Sequence, residues 1–184
     1  MGGTMSVTRP SQLLTLQSFG DISRFLREGV ADEDSRQLRD SLSALSTQID
    51  EAVRVRRTST DTDAIARRVV ALSHCAREHQ LLLTGLGSAW HALYEFGAYQ
   101  RALRELRNAI AHWQKMLEQR SPRESASFDQ FELLAWRTLG EALLLIDMYE
   151  HQSEPASELQ QAAAPQHKGS VLQRIRAWLG GGKG

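Results

Sequence analysis

The chain is poor in cysteine. Cys75 stands alone among 184 residues, which excludes an internal disulfide framework and a Cys-based zinc site. Four prolines and 13 glycines are too few for a collagen-like or low-complexity chain. Neither sign of charge is in excess, with 22 Lys+Arg against 22 Asp+Glu. That argues against nonspecific nucleic-acid binding by bulk charge, though a local basic patch is still allowed. Long apolar runs are missing too. No stretch approaches the roughly 18 residues of a membrane span, and the longest apolar run, residues 142–146, is only part of a buried helix. The opening MGGTMSVTRPSQ has no signal-peptide core. A cytoplasmic protein is expected, its lone thiol suiting a reducing compartment.

What is present is an ordinary globular composition, 41% hydrophobic and 24% charged, which excludes wholesale disorder. The apolar residues recur at helical spacing. Residues 11–28 carry Leu13, Leu16, Phe19, Ile22 and Phe25 or Leu26, with Gly20 and Asp21 offering a break. Residues 33–57 place Leu38, Leu42, Leu45, Ile49 and Val53 on one stripe. A polar break follows at 58–63, where Asp61, Thr62 or Asp63 can cap the next helix. That helix carries Ile65, Val69, Leu72, Ala76 and Leu83, and Gly85 and Gly87 interrupt the chain after it. A second break is expected at Gly97. Leu103, Leu106, Ile110, Trp113 and Leu117 then continue at helical spacing. A loop is predicted over 121–127. Ser127 and Gln130 fit a capping box, opening a helix from Phe128 to about His151 that is apolar on most sides and belongs inside a bundle. No alternating strand pattern or hairpin signal is found. The expectation is an all-α bundle of five or six helices over residues 11–152. Residues 1–10 read as a disordered N-terminus, 153–169 as a linker, and 170–184 as a short amphipathic tail.

One motif has the residue types for chemistry. Arg107, Asn108 and His112 match R-N-x-x-x-H, on a long amphipathic helix followed by a loop and a strongly apolar helix. This resembles the signature of the HEPN superfamily, all-α domains of which many are metal-independent ribonucleases in toxin–antitoxin, anti-phage and RNA-processing systems. The resemblance covers residues 87–150 in organisation and only positions 107, 108 and 112 at residue level. It implies a metal-independent endoribonuclease or an RNA-binding domain, with His112 as acid/base, Arg107 as phosphate anchor and Asn108 as the residue that orients the loop or His112, and with no metal or cofactor. The chemistry suits these types: an imidazole moves protons near neutrality, and a guanidinium braces a crowded anionic phosphorane. Positions five apart on a regular helix point about 140° from each other. A shared site therefore needs a distorted helix or two chains, and the family implies a homodimer. The stripe of Leu106, Ile110, Trp113 and Leu117 runs straight through the motif and favours an undistorted helix.

The same region also resembles a tetratricopeptide repeat, a helix pair of about 34 residues. Gly97, Tyr99, Ala102, Leu106 and Ala109 follow that pattern, and Trp136, Leu139 and Gly140 resemble its opening. This resemblance implies a non-catalytic adaptor or chaperone binding a partner protein.

Other polar residues add no site. His74 and His79 are five apart, a poor spacing for joint metal ligation on a helix. Arg54, Arg56, Arg57, Arg67 and Arg68 read first as solvated helix surface and only secondarily as an RNA-backbone contact, and Cys75 as a small core residue. In the tail, Val171, Leu172, Ile175, Trp178 and Leu179 fall on one helix face, Arg174 and Arg176 lie off it, and no acid follows Glu158. Such a segment can lie weakly at the inner face of a membrane, where it resembles the targeting tails of bacterial division proteins, or dock on a partner helix or on its own bundle.

Overall fold

The structure is a computed structural model and describes residues 16–28 and 33–152. Among these residues all regular structure is helical. The helices are α1 (Phe19–Glu28), α2 (Glu33–Thr58), α3 (Thr62–Thr84), the single turn α4 (Ser88–His91), α5 (Tyr94–Glu118) and α6 (Glu124–Gln152). The expected all-α bundle is what is found.

The helices α2, α3, α5 and α6 form an antiparallel ring. Each packs on the next along the chain, α6 returns to α2, and α1 lies outside along α2. Short connections force neighbours to run in opposite directions. One end of the bundle therefore gathers the start of α2, the end of α3, α4, the start of α5 and the end of α6. The other end carries the α2–α3 and α5–α6 turns.

Each ring helix turns its stripe inward. Leu38, Leu42, Leu45 and Ile49 of α2 are fully buried, as are Val69, Leu72 and Ala76 of α3 and Leu106 and Trp113 of α5. The second half of α6, residues 138–146, is buried almost all round, with Ala142, Leu143, Leu144, Leu145 and Ile146 all inside, as its apolar run predicts. Each large buried aliphatic side chain contributes about 1.5–3 kcal/mol. Aromatic rings hold the joints. Trp113 packs on Phe131 and Phe128 (centroids 4.9 and 5.1 Å), Phe19 of α1 stacks on Trp136 of α6 at 4.2 Å, and Trp90 of α4 stacks on Tyr149 at 3.6 Å.

The helix ends show which local signals hold. Asp61 caps α3 by accepting from the Asp63 N–H at 2.9 Å. Gly20 and Asp21 make no break. They are the first turn of α1, where Ser18 Oγ accepts from the Asp21 N–H and the Asp21 carboxylate accepts from the N–H groups of Ser18 and Gln17. Helix α5 closes in a Schellman arrangement, with Ser121 N–H donating to Met116 O and Arg120 N–H to Leu117 O. This puts Arg120 at φ 47°, the left-handed region that an L side chain enters at a cost.

Two expected boundaries are corrected. Gly97 does not break the chain: α5 runs through it. A lone glycine inside a helix costs only about 1 kcal/mol, and the packing of Phe96, Tyr99 and Leu103 outweighs that. Ser127 is not a cap either. Helix α6 begins a turn earlier, at Glu124, and Ser127 is a buried residue of its first turns. The earlier start is held by Glu124, whose carboxylate accepts from Arg56 Nε and Nη2 of α2 (2.8 and 2.7 Å) and from Trp113 Nε1 (2.7 Å). Those links tie three helices together at that end. The tail residues 170–184, the linker 153–169 and residues 1–15 lie outside the described residues.

Candidate functional site

Helix α5 carries the R-N-x-x-x-H residues and is unbroken from Tyr94 to Glu118. Arg107 is half-buried on its α3 flank, where Nη1 donates to Gln80 Oε1. Asn108 and His112 are exposed. His112 follows Glu105 by two turns, and Glu105 accepts from Arg137 of α6 at 2.9 Å, so His112 lies on the α6 flank. The guanidinium and the imidazole therefore sit on opposite flanks of one straight helix, as the roughly 140° between positions five apart requires. Within one chain the three residues are not brought together around a common point. The stretches resembling a helical repeat also lie inside single helices, Gly97 to Ala109 in α5 and Trp136 to Gly140 in α6.

The polar group that the fold does bury is a different one. His79 of α3 is 1% exposed. Its Nδ1 lies 2.6 Å from Ser41 Oγ of α2, and its Nε2 is hydrogen-bonded to the hydroxyl of Tyr99 on α5. Tyr99 is completely buried, and His79 is its hydroxyl's one hydrogen-bond partner among the described residues. A phenol donates one proton, so Tyr99 donates to Nε2. Nδ1 then carries the imidazole proton and donates to Ser41. Burial pulls the His79 pKa down from the ordinary 6.5 to about 4, and it pushes the Tyr99 hydroxyl well above the usual phenol range. Both groups are neutral near pH 7. The arrangement crosses three helices and satisfies buried polar atoms. It puts no activated nucleophile into a cavity.

A second polar lock closes the end of the bundle where α6 finishes. Arg39 of α2 is 2% exposed and donates through Nε and Nη2 to the Glu150 carboxylate, both at 2.9 Å; Ser35 Oγ donates to the same carboxylate at 2.8 Å. Arg39 Nη1 and Trp90 Nε1 are buried without a hydrogen-bond partner.

Of the arginines read as solvated surface, Arg54, Arg57, Arg67 and Arg68 are exposed, and Arg56 is half-buried; two of the five also reach α6. Arg56 binds Glu124 and lies over the Phe128 ring, and Arg57 binds Glu132 of α6 at 2.6 Å. Burial pushes the Glu124 carboxyl up, but the hydrogen bonds from Arg56 and Trp113 outweigh it and leave the pKa below the usual range.

Among the described residues, two open clefts stand out. One, of about 630 Å³, lies between the α2–α3 and α5–α6 turns; guanidinia of Arg56 and Arg120 mix there with Asp61, Asp63 and Glu124. The other, of about 660 Å³, lies along α2 and α3, with Cys75 and Gln48 in its lining. Burial raises the pKa of the Cys75 thiol, which lowers its thiolate fraction and its reactivity. Among the described residues no group of three or more His, Cys, Asp or Glu could hold a metal ion, and no helix is long and apolar enough to cross a membrane.

Sequence alone does not single out Ser41 or Arg39, and it picks out His79 only in a poor metal-ligand spacing and Tyr99 only in the repeat-like pattern. The signal was available for two of them. His79 falls on the inward row of α3, three after Ala76 and four before Leu83, and Tyr99 falls on the row of Phe96, Leu103 and Leu106. A polar residue in register with an apolar stripe is buried and must find a partner. Comparison with family models, with curated proteins and with solved structures returns no match for this chain.

Proposed function

We propose that this protein is a non-catalytic helical scaffold that binds a protein partner. One observation carries the reading: Arg107 and His112 occupy opposite flanks of an unbroken helix, and Arg107 is engaged by Gln80. A phosphodiester held by one group is out of reach of the other in the same chain. Exposed apolar side chains supply contact area for a partner. Leu81 (62% exposed) ends α3 and Tyr94 (78%) begins α5, at the same end of the bundle.

The HEPN-like ribonuclease is the second reading, favoured by the exposure of His112. It requires a second copy of the chain to complete the site. A single assay separates the two readings. RNA is incubated with the protein in chelator, and wild type is compared with Arg107→Ala and His112→Ala. The scaffold reading expects no cleavage above background by any of the three. Cleavage by wild type that both substitutions abolish would overturn it.

A further inference from the structure

We propose that residues 171–179 of the tail dock as a helix in the cleft between α1 and α3 of their own bundle. Helices α1 and α3 each pack on α2, and the cleft between them is open. Its α2 wall is the row Asp40, Ser43, Ala44 and Thr47. Its α3 wall is the row Ala71, His74, Cys75 and Glu78. Each row has the i, i+3, i+4, i+7 spacing of a single helix face. The rows run antiparallel and carry the small residues Ala44, Ala71 and Cys75 at the cleft, while Ser43 is buried against Ser23 of α1; small side chains let a third helix approach closely.

The tail fits this place in length, pattern, charge and reach. Each wall covers two helical turns, about 10 Å, and a helix from Val171 to Leu179 would span about 12 Å. Asp40 and Glu78 stand at the same end of the cleft, and neither makes an ion pair among the described residues. With Arg27 beside them, one negative charge is in excess there, facing a segment that carries Arg174 and Arg176 and no acid. Gln48 lines the cleft and holds a buried side-chain oxygen with no partner. The tail brings N–H donors from Gln173, its arginines and Trp178. Helix α6 ends at Gln152, at the end of the bundle where Asp40 and Glu78 lie. The residues from 153 to 170 reach up to about 60 Å when extended, against about 40 Å for the length of α2. The inference stands apart from the proposed scaffold role, since the cleft and the tail belong to one chain.

Cys75 reports on the cleft directly, because it is the chain's sole cysteine, lies in the wall and is half-buried. The rate of its modification by a neutral maleimide is measured on the full chain and on the full-length double variant Ile175→Glu, Trp178→Glu. A tail docked nine-tenths of the time predicts modification about tenfold faster in the variant, with the protection in wild type independent of protein concentration. Tryptic cleavage after Arg174 and Arg176 gives a second readout. Ala44→Arg, which fills the cleft from an exposed position, should speed that cleavage. Equal maleimide rates in both chains would overturn the proposal, and so would equal rates accompanied by binding of the tail to anionic vesicles. Protection that grows with protein concentration would place a neighbouring copy's tail in the cleft and would overturn docking within one chain.

Discussion

Acid should weaken this fold through a single imidazole. In the unfolded chain His79 takes up its proton near pH 6.5; in the bundle it does so only near pH 4, because burial penalises the charged ring. Between those values the unfolded state binds more protons, so stability falls as pH falls and levels off below about 4. A gap of about 2.5 pKa units corresponds to about 3 kcal/mol, a large share of the stability of an ordinary domain. The hydrogen bonds point the same way. A protonated ring presents two N–H donors, and the one on Nε2 would face a Tyr99 hydroxyl that has no other acceptor among the described residues. Urea unfolding followed by far-ultraviolet circular dichroism, from pH 7 to pH 4, on wild type and His79→Gln measures the effect. Carboxylates contribute to both curves. Asp147, whose pKa burial raises, and Glu124, held low by its partners, largely cancel in the difference because they lie outside the substituted bridge. Wild type should lose about 3 kcal/mol more than the variant over this interval. Parallel curves would refute the assignment of His79 as a neutral buried bridge.

Two further predictions concern the framework. Glu150→Ala leaves the Arg39 guanidinium buried without its counter-charge and should cost about 3 kcal/mol, near the low end for a broken buried pair, because Glu150 retains 26% exposure. Arg39→Met removes the buried charge itself and should cost less; equal losses in urea unfolding would contradict this. Gly97→Ala should raise stability by about 0.5–1 kcal/mol, since an added Cβ meets only the Arg101 guanidinium at 3.8 Å and the backbone is not left-handed there. A lower thermal midpoint for that variant would count against an unstrained helix at this position.

The long helices were legible because each has an apolar row that only one period explains. The rows of α2 and α3 run through the observed elements, and the break at 58–63 coincides with the turn that Asp61 caps. What sequence misplaced were ends decided by distant partners. Gly97 reads as a breaker in isolation, yet buried neighbours on both sides hold it in α5. Ser127 and Gln130 have the types of a capping box, but Glu124 is fixed by Arg56, 68 residues away in the chain. No local rule contains that contact. The role of Arg56 and Arg57 as bridges to α6 was hidden for the same reason, since a basic cluster on a helix looks alike whether it faces water or a neighbouring carboxylate.

The site shows the opposite relation between pattern and geometry. Three residues match a motif by type and spacing, but the same sequence fixes where they point. Leu106, Ile110, Trp113 and Leu117 are all buried on one face, which keeps α5 straight through the motif, and a straight helix sends positions 107 and 112 to different flanks. Periodicity therefore tells more here than the motif does. Had the stripe skipped a position near residue 110, a bulge able to turn His112 toward Arg107 would have been the natural reading. By the same logic, His79 and Tyr99 occupy positions where the stripe calls for apolar residues, and they find each other across two helices. In a bundle whose motif residues diverge, those departures from periodicity are the polar positions that the fold actually brings together.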